Sequence, residues 1–166
     1  NFSTVTETLP KVVPKSPKSP NVLNGIDVLE RDQFAALKGM RVGLITNQTG
    51  INKRRITTID LLHCSDKVDL KLLFGPEHGI RGTLDDKVED GVDHKTKLPV
   101  VSLYAGEDRR KPKIEHLAEV DALVFDMQDI GTRFYTFIST MGLAMEAAED
   151  AGLRFFVLDR MNPIGG

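Results

Sequence analysis

Five short runs of almost unbroken apolar character constrain this chain more than any other feature: Arg41–Thr46 (RVGLIT), Leu70–Phe74 (LKLLF), Val100–Tyr104 (VVSLY), Ala122–Met127 (ALVFDM) and Arg154–Asp159 (RFFVLD). A strand with one wet face alternates apolar and polar residues, whereas a run that does not alternate is covered on both faces. The segments between most of these runs carry helical spacing. Ile56, Ile59 and Leu62 fall three apart within Arg54–Cys64, and Thr132–Ala151 is rich in Ala, Met and Leu with Gly152 as its stop. Arg31–Lys38 reads as a short lead-in helix ended by Gly39, and Pro112–Val120 opens with a proline at a tolerated first-turn position. Strands alternating with helices imply right-handed crossovers and helices on both faces of the sheet. The expected fold class is therefore α/β: a doubly wound, mostly parallel sheet of five or more strands, Rossmann-like.

A chain of 166 residues with 40% hydrophobic content has enough apolar surface for one core. Residues 1–20 (NFSTVTETLPKVVPKSPKSP) are rich in Pro, Ser and Lys without an apolar period, so they read as a flexible leader before a single domain at 21–166. The net charge of −2 provides no field to attract nucleic acid. No apolar run approaches the roughly 18 residues of a membrane-spanning helix. Cys64 is the sole cysteine, which rules out an internal disulfide.

In open parallel sheets, ligands bind beyond the carboxyl ends of the strands. Every such end here is polar. Asn47 and Gln48 follow the first run, Glu77 and His78 the second, and Tyr104 closes the third; Asp126, Gln128 and Asp129 follow the fourth, and Asp159, Arg160 and Asn162 the fifth. The first turn, TNQTGINKRR, lacks the glycine spacing that brings a helix terminus onto a pyrophosphate, and no P-loop is present, so no nucleotide cofactor is expected. The histidines fit no metal-ligand spacing, and Asp126 with Asp129 makes an incomplete oxygen shell for a hard cation, so no metal is expected either.

Amides, carboxylates and a tyrosine suit an uncharged polar substrate such as a sugar. Glycoside hydrolysis commonly uses two carboxyl groups, one protonated and one ionised. Glu77 is the expected acid: Gly75-Pro76 limits the backbone before it, and Gly79 lets the chain leave without a side-chain clash. His78 is suited to orienting that carboxyl or contacting substrate. Asp126 and Asp129 are the candidates for the second carboxyl, against the alternative that they cap the helix beginning near Thr132.

The blocks GIDVLERDQFAALKGMRVGLITNQTG, LFGPEHGIRG, LPVVSLY, VFDMQDIGTRFYTFISTMGLAMEAAEDAG and VLDRMNPIGG resemble, in order from Asn21 to Gly166, the peptidoglycan exo-β-N-acetylmuramidase family, formerly a domain of unknown function. The resemblance implies a glycosidase that releases N-acetylmuramic acid from the non-reducing end of cell-wall fragments, built from a Rossmann-like N-terminal domain and a C-terminal domain, without a cofactor. It implies a catalytic role for Glu77, and places Asp126, the expected second catalytic carboxyl by its position at the strand end, on the cleft. It also implies substrate contacts from Asn47, Gln48, His78, Gln128, Asp129, Arg133, Tyr135 and Asn162. A guanidinium at Arg133 suits the lactyl carboxylate of the sugar. With the family's C-terminal domain absent from these 166 residues, the isolated chain is expected to be weak or inactive. The substrate implies a secreted or periplasmic protein whose signal peptide has been removed. Two other readings are a non-catalytic cell-wall glycan-binding module and a metal-dependent ester or phosphate hydrolase.

Overall fold

All five apolar runs form strands, and a sixth strand joins them. In chain order the elements are α1 (Gly25–Arg31), a 3-10 turn (Ala35–Leu37), β1 (Arg41–Thr46), α2 (Thr58–His63), β2 (Asp69–Gly75), β3 (Gly91–Val92), β4 (Pro99–Ser102), α3 (Ile114–Leu117), β5 (Ala122–Asp126), α4 (Phe137–Asp150) and β6 (Arg154–Val157). This computed structural model describes residues 22–76, 79–81, 90–104 and 111–165; the expected leader and the Glu77–His78 pair lie outside the described residues.

The sheet order is β3-β4-β2-β1-β5-β6, parallel throughout except for the β3–β4 pairing. The chain steps outward from β1 through β2 to β4, then returns to lay β5 and β6 on the other side of β1. This reversal makes the gap beyond the carboxyl ends of β1 and β5 the topological switch point of the sheet. The fold is thus the α/β architecture that the apolar runs predict, with an antiparallel edge added at β3, too short and exposed to leave an apolar signature.

Two apolar layers sandwich the sheet. On one face Val42, Leu44, Leu73 and Val124 pack with Ile26 and Leu29 of α1 and Ile59 and Leu62 of α2. On the other, Ile45, Phe74, Leu123 and Phe125 pack with Leu117 of α3 and Ala144, Ala147 and Ala148 of α4. A bulge in β2 accounts for the one break in alternation: Val42 faces Leu70 but Gly43 faces Leu72, so Leu70 and Leu73 share a face although three apart.

Helix boundaries moved where capping outweighed apolar spacing. The lead-in helix predicted over Arg31–Lys38 lies earlier: Asp27 accepts the Asn24 N–H at 3.3 Å to start α1, and left-handed backbone at Gln33 and Phe34 separates it from the 3-10 turn. In α2 the Thr57 hydroxyl accepts the Asp60 N–H at 3.2 Å, so the helix starts at Thr58 rather than Arg54. Upstream, Asn52 Oδ1 accepts the N–H groups of Arg54 (3.0 Å) and Ile56 (2.9 Å), holding that stretch in a turn instead. The long helix starts at Phe137, leaving Thr132–Thr136 as loop, and ends before Gly152 at φ +68°.

Candidate functional site

At the switch point Thr46 and Asp126 are register partners across β1 and β5. Asp126 is fully buried and opposed by the guanidinium of Arg160, whose side chain is only 5% exposed. Arg160 Nε donates to Asp126 Oδ1 at 2.6 Å and Nη2 to Oδ2 at 3.0 Å, with a further bond from Nη2 to the Ile51 carbonyl at 3.1 Å. The Thr58 hydroxyl also donates to Oδ2, and the Thr46 hydroxyl donates to the Asp126 carbonyl at 2.8 Å. Burial pushes the Asp126 carboxyl above its ordinary range, while Arg160 and Thr58 pull the other way. This hub ties four pieces together: the end of β5, the first turn of α2, the β1–α2 loop and the segment after β6. Packing around it leaves no room at Gly50, where a Cβ would sit 2.2 Å from Thr46 Oγ1 and 3.1 Å from the Asp126 carbonyl.

Outward from the hub, the two loops that flank the cleft interlock. Asn47 is buried and turned onto its own loop, its Oδ1 accepting from the Thr49 N–H (2.9 Å) and hydroxyl (2.5 Å). Thr49 Oγ1 in turn accepts the Gln128 N–H at 2.9 Å, and Gln48 is exposed. Gln128 Nε2 donates to the carbonyls of Asp129 (2.8 Å) and Met161 (3.0 Å), binding the β5–α4 loop to the segment after β6. Gly131, at φ +75°, donates to Asp129 Oδ1 at 2.6 Å; a Cβ there would come within 2.7 Å of Asn162 Oδ1. Asp129 Oδ2 and Thr132 Oγ1 are buried and without a partner among the described residues. Between this loop, α4 and the ends of β5 and β6 lies a pocket of about 270 Å³ that Gln128, Asp129, Arg160 and Asn162 help to line.

The remaining expected site residues are more dispersed. Arg133 is exposed, and Tyr135 is half-buried, edge-on to Phe137 with ring centroids 4.9 Å apart. The Tyr104 hydroxyl shares hydrogen bonds with those of Thr136 (2.8 Å) and Thr140 (3.2 Å), so the third strand end is joined to the start of α4. Glu77 and His78 lie outside the described residues, but the chain on either side is anchored. Gly79 N–H donates to the Pro76 carbonyl at 3.1 Å, and Ile80 packs against the core. Arg81 then grips the buried Asp93 through Nε (2.6 Å) and Nη2 (2.9 Å) and reaches Asp60 at 3.4 Å. That guanidinium, with the Thr96 N–H and hydroxyl, holds the Asp93 carboxyl well below the usual carboxylate range. Among the described residues no three His, Cys, Asp or Glu side chains are grouped to hold a metal ion.

Sequence reasoning singled out Asp126, Gln128, Asp129 and Asn162, and the structure brings these together around Arg160. It did not foresee that Arg160 is the counter-ion of Asp126, nor that Thr58 is its hydroxyl donor. One signal existed: Arg160 is the cation that follows the last apolar run, at the same carboxyl rim of the sheet as Asp126.

The family described as "Exo-beta-N-acetylmuramidase NamZ, N-terminal" matches residues 42–166. The chain is 47% identical to the peptidoglycan beta-N-acetylmuramidase NamZ of Bacillus subtilis (strain 168), an alignment covering 99% of this chain and 40% of that protein. Two crystal structures of DUF1343 family proteins from Bacteroides fragilis superpose on it. One has a TM-score of 0.80 at 53% identity and the other 0.71 at 30%, each over 87% of this chain and 36% of theirs. The chain thus spans about 40% of the length of the curated relative it matches.

Proposed function

This chain belongs to the exo-β-N-acetylmuramidase NamZ family, matching its N-terminal part, and on that premise we propose that it serves a glycoside hydrolase releasing N-acetylmuramic acid from the non-reducing end of peptidoglycan fragments. The observation that carries this reading is the 47% identity, over nearly the whole chain, to a protein named for that activity. In our reading Glu77 is the general acid, with His78 beside it. Asp129 is the second carboxylate at the cleft, because both oxygens of Asp126 are engaged by protein donors and no part of it meets solvent. Asp126 is then a positioning residue: through Arg160 it holds the loops that carry Gln128, Asp129 and Asn162. Exposed Gln48 and Arg133 are free to meet substrate, Arg133 taking the lactyl carboxylate as a bidentate pair. Asn47 and Tyr135 support the loops on either side. A wall-derived substrate assigns the protein to the cell envelope.

The test uses the full-length protein that carries this chain, with residues 1–166 alone, expected to be weak or inactive, as a comparison. It is incubated with a defined disaccharide ending in non-reducing N-acetylmuramic acid. Release by the wild type and a drop of about 100-fold or more in Glu77→Gln is the expected result, in line with loss of a general acid. Equal turnover by both proteins refutes the assignment of Glu77, and no release by either refutes the activity. Arg133→Lys is expected to raise KM for the muramic substrate but not for a glucosamine one.

A further inference from the structure

The pocket beside Asp129 has a composition that the reading above does not use. Phe137 and Met141 of α4 give it an apolar floor, and Ile138 of α4 and Val157 of β6, 56% and 46% exposed, an apolar mouth, while Gln128, Asp129 and Asn162 supply polar groups beside them. Of these, Asp129 has one oxygen satisfied by the Gly131 N–H and the other sealed from water and unpaired among the described residues. An apolar hollow next to a carboxylate lacking a donor calls for a ligand group that brings an N–H or O–H and a small alkyl group side by side.

On an amino sugar of the proposed substrate class only two substituents carry a methyl group. A lactyl ether brings its methyl together with a carboxylate, which Asp129 and Asp159 on the same pocket repel, the charge of Arg160 there being already taken by Asp126. An N-acyl amide brings its methyl together with an N–H, which a carboxylate accepts. Ring hydroxyls offer donors but nothing for the floor. We propose that this pocket is the subsite for the sugar's 2-acetamido group, with the methyl on Ile138 and Met141 and the amide N–H on Asp129. For the amide to reach the sealed oxygen the Asp129 carboxylate rotates as the ligand enters, and the amide N–H takes the place of the Gly131 N–H as its donor. The inference rests on the proposed function for its substrate class, and it narrows the role of the second carboxylate, Asp129, to holding the acylated amine at the cleft. Where the methyl meets the side chain of Met141, that wall of the pocket limits the length of the acyl chain.

The experiment follows binding separately from turnover. Saturation-transfer NMR on the full-length protein, with N-acetylmuramic acid as probe, is expected to give the acetamido methyl a larger signal than the lactyl methyl. Ile138→Trp fills the mouth at a half-exposed position that tolerates a large side chain. It is expected to weaken binding about tenfold, in line with what a few methylene contacts are worth. Met141→Ala enlarges the floor and is expected to shift preference from N-acetyl toward N-propionyl probes by about tenfold. Asp129→Asn is expected to abolish discrimination between N-acetylated and O-methylated probes, with the fold checked by circular dichroism. A dominant lactyl methyl, unchanged binding in Ile138→Trp, an unshifted acyl preference in Met141→Ala, or no saturable binding of the probe overturns the inference. The two ideas fail separately: a protein that binds the acetamido methyl but hydrolyses nothing refutes the activity and keeps the subsite, and one that hydrolyses without regard to the acyl group does the reverse.

Discussion

The β1–β5 ladder has an arginine–aspartate pair at each end, and the two pairs are opposites in all but chemistry. At the amino end Arg41 donates to Asp121 through Nη2 at 2.7 Å and through its backbone N–H at 2.9 Å, and both side chains are over 40% exposed. At the carboxyl end Arg160 grips Asp126 at 2.6 and 3.0 Å, and both are buried. The arginine and its backbone N–H lower the Asp121 carboxyl to about 2, whereas burial raises that of Asp126. At Asp121, where water still reaches the carboxylate, the hydrogen bonds from Arg41 dominate; at Asp126, on an interior strand of the sheet, loss of water outweighs even a bidentate guanidinium. The open pair pins strand register; the closed pair sets the architecture of the cleft.

Removing the buried arginine is the strongest way to break this contrast. Arg160→Met leaves Asp126 as an uncompensated buried carboxylate and is expected to cost about 3–5 kcal/mol in urea unfolding. The pH dependence identifies the cause. A carboxyl whose folded pKa is raised holds more protons in the folded state than in the unfolded one, so the variant loses stability as pH rises from about 4 through the raised value. Replacing Asp126 by Leu as well is expected to recover most of the loss, since a buried pair exchanged for apolar groups is close to neutral. A pH-independent loss, or one no larger than that of Arg41→Met, breaks the comparison.

Arg81–Asp93 falls between the extremes, with side chains 15% and 1% exposed. Arg81→Gln is expected to cost about 1.5–3 kcal/mol at neutral pH, the range for hydrogen bonds to a charged group. Here the sign reverses. The folded pKa of Asp93 is depressed, so its contribution is present above the unfolded value near about 3.9 and is lost as pH falls through the folded one. The gap between wild type and variant should therefore narrow in acid, and a gap that widens would show that the clamp is not electrostatic. Arg41→Met sharpens the other end. It is expected to leave the unfolding midpoint unchanged within error, and any small change should vanish in high salt.

Legibility followed the range of the interactions involved. The strands could be read because burial on both faces favours apolar residues through most of β1, β2 and β5, with the buried polar residues Thr46 and Asp126 confined to the carboxyl ends. The β3 edge could not, because two exposed residues carry no such exclusion. The α2 span came out too long where the Thr57 cap competed with apolar spacing, and the lead-in helix was placed too late because the Asn24–Asp27 cap starts α1 at Gly25. At the site, polar strand ends were evident one by one. Which of them turns inward was not: Asp126 and Asp129 stand three residues apart in one motif, yet the first is sealed in the hub and the second lines a pocket.

The amino-acid sequence alone determined the parallel α/β sheet, the carboxyl rim as the polar edge, and membership of a muramidase family, since apolar patterning and long motifs need no third dimension to be read. Only the tertiary structure decided that Arg160 closes on Asp126 from 34 residues away, that Asn47 faces inward, and that an apolar hollow lies beside Asp129. The reason is that solvation is a property of a place in the fold, and a carboxylate's role depends on whether the chain around it leaves water or an arginine at its side.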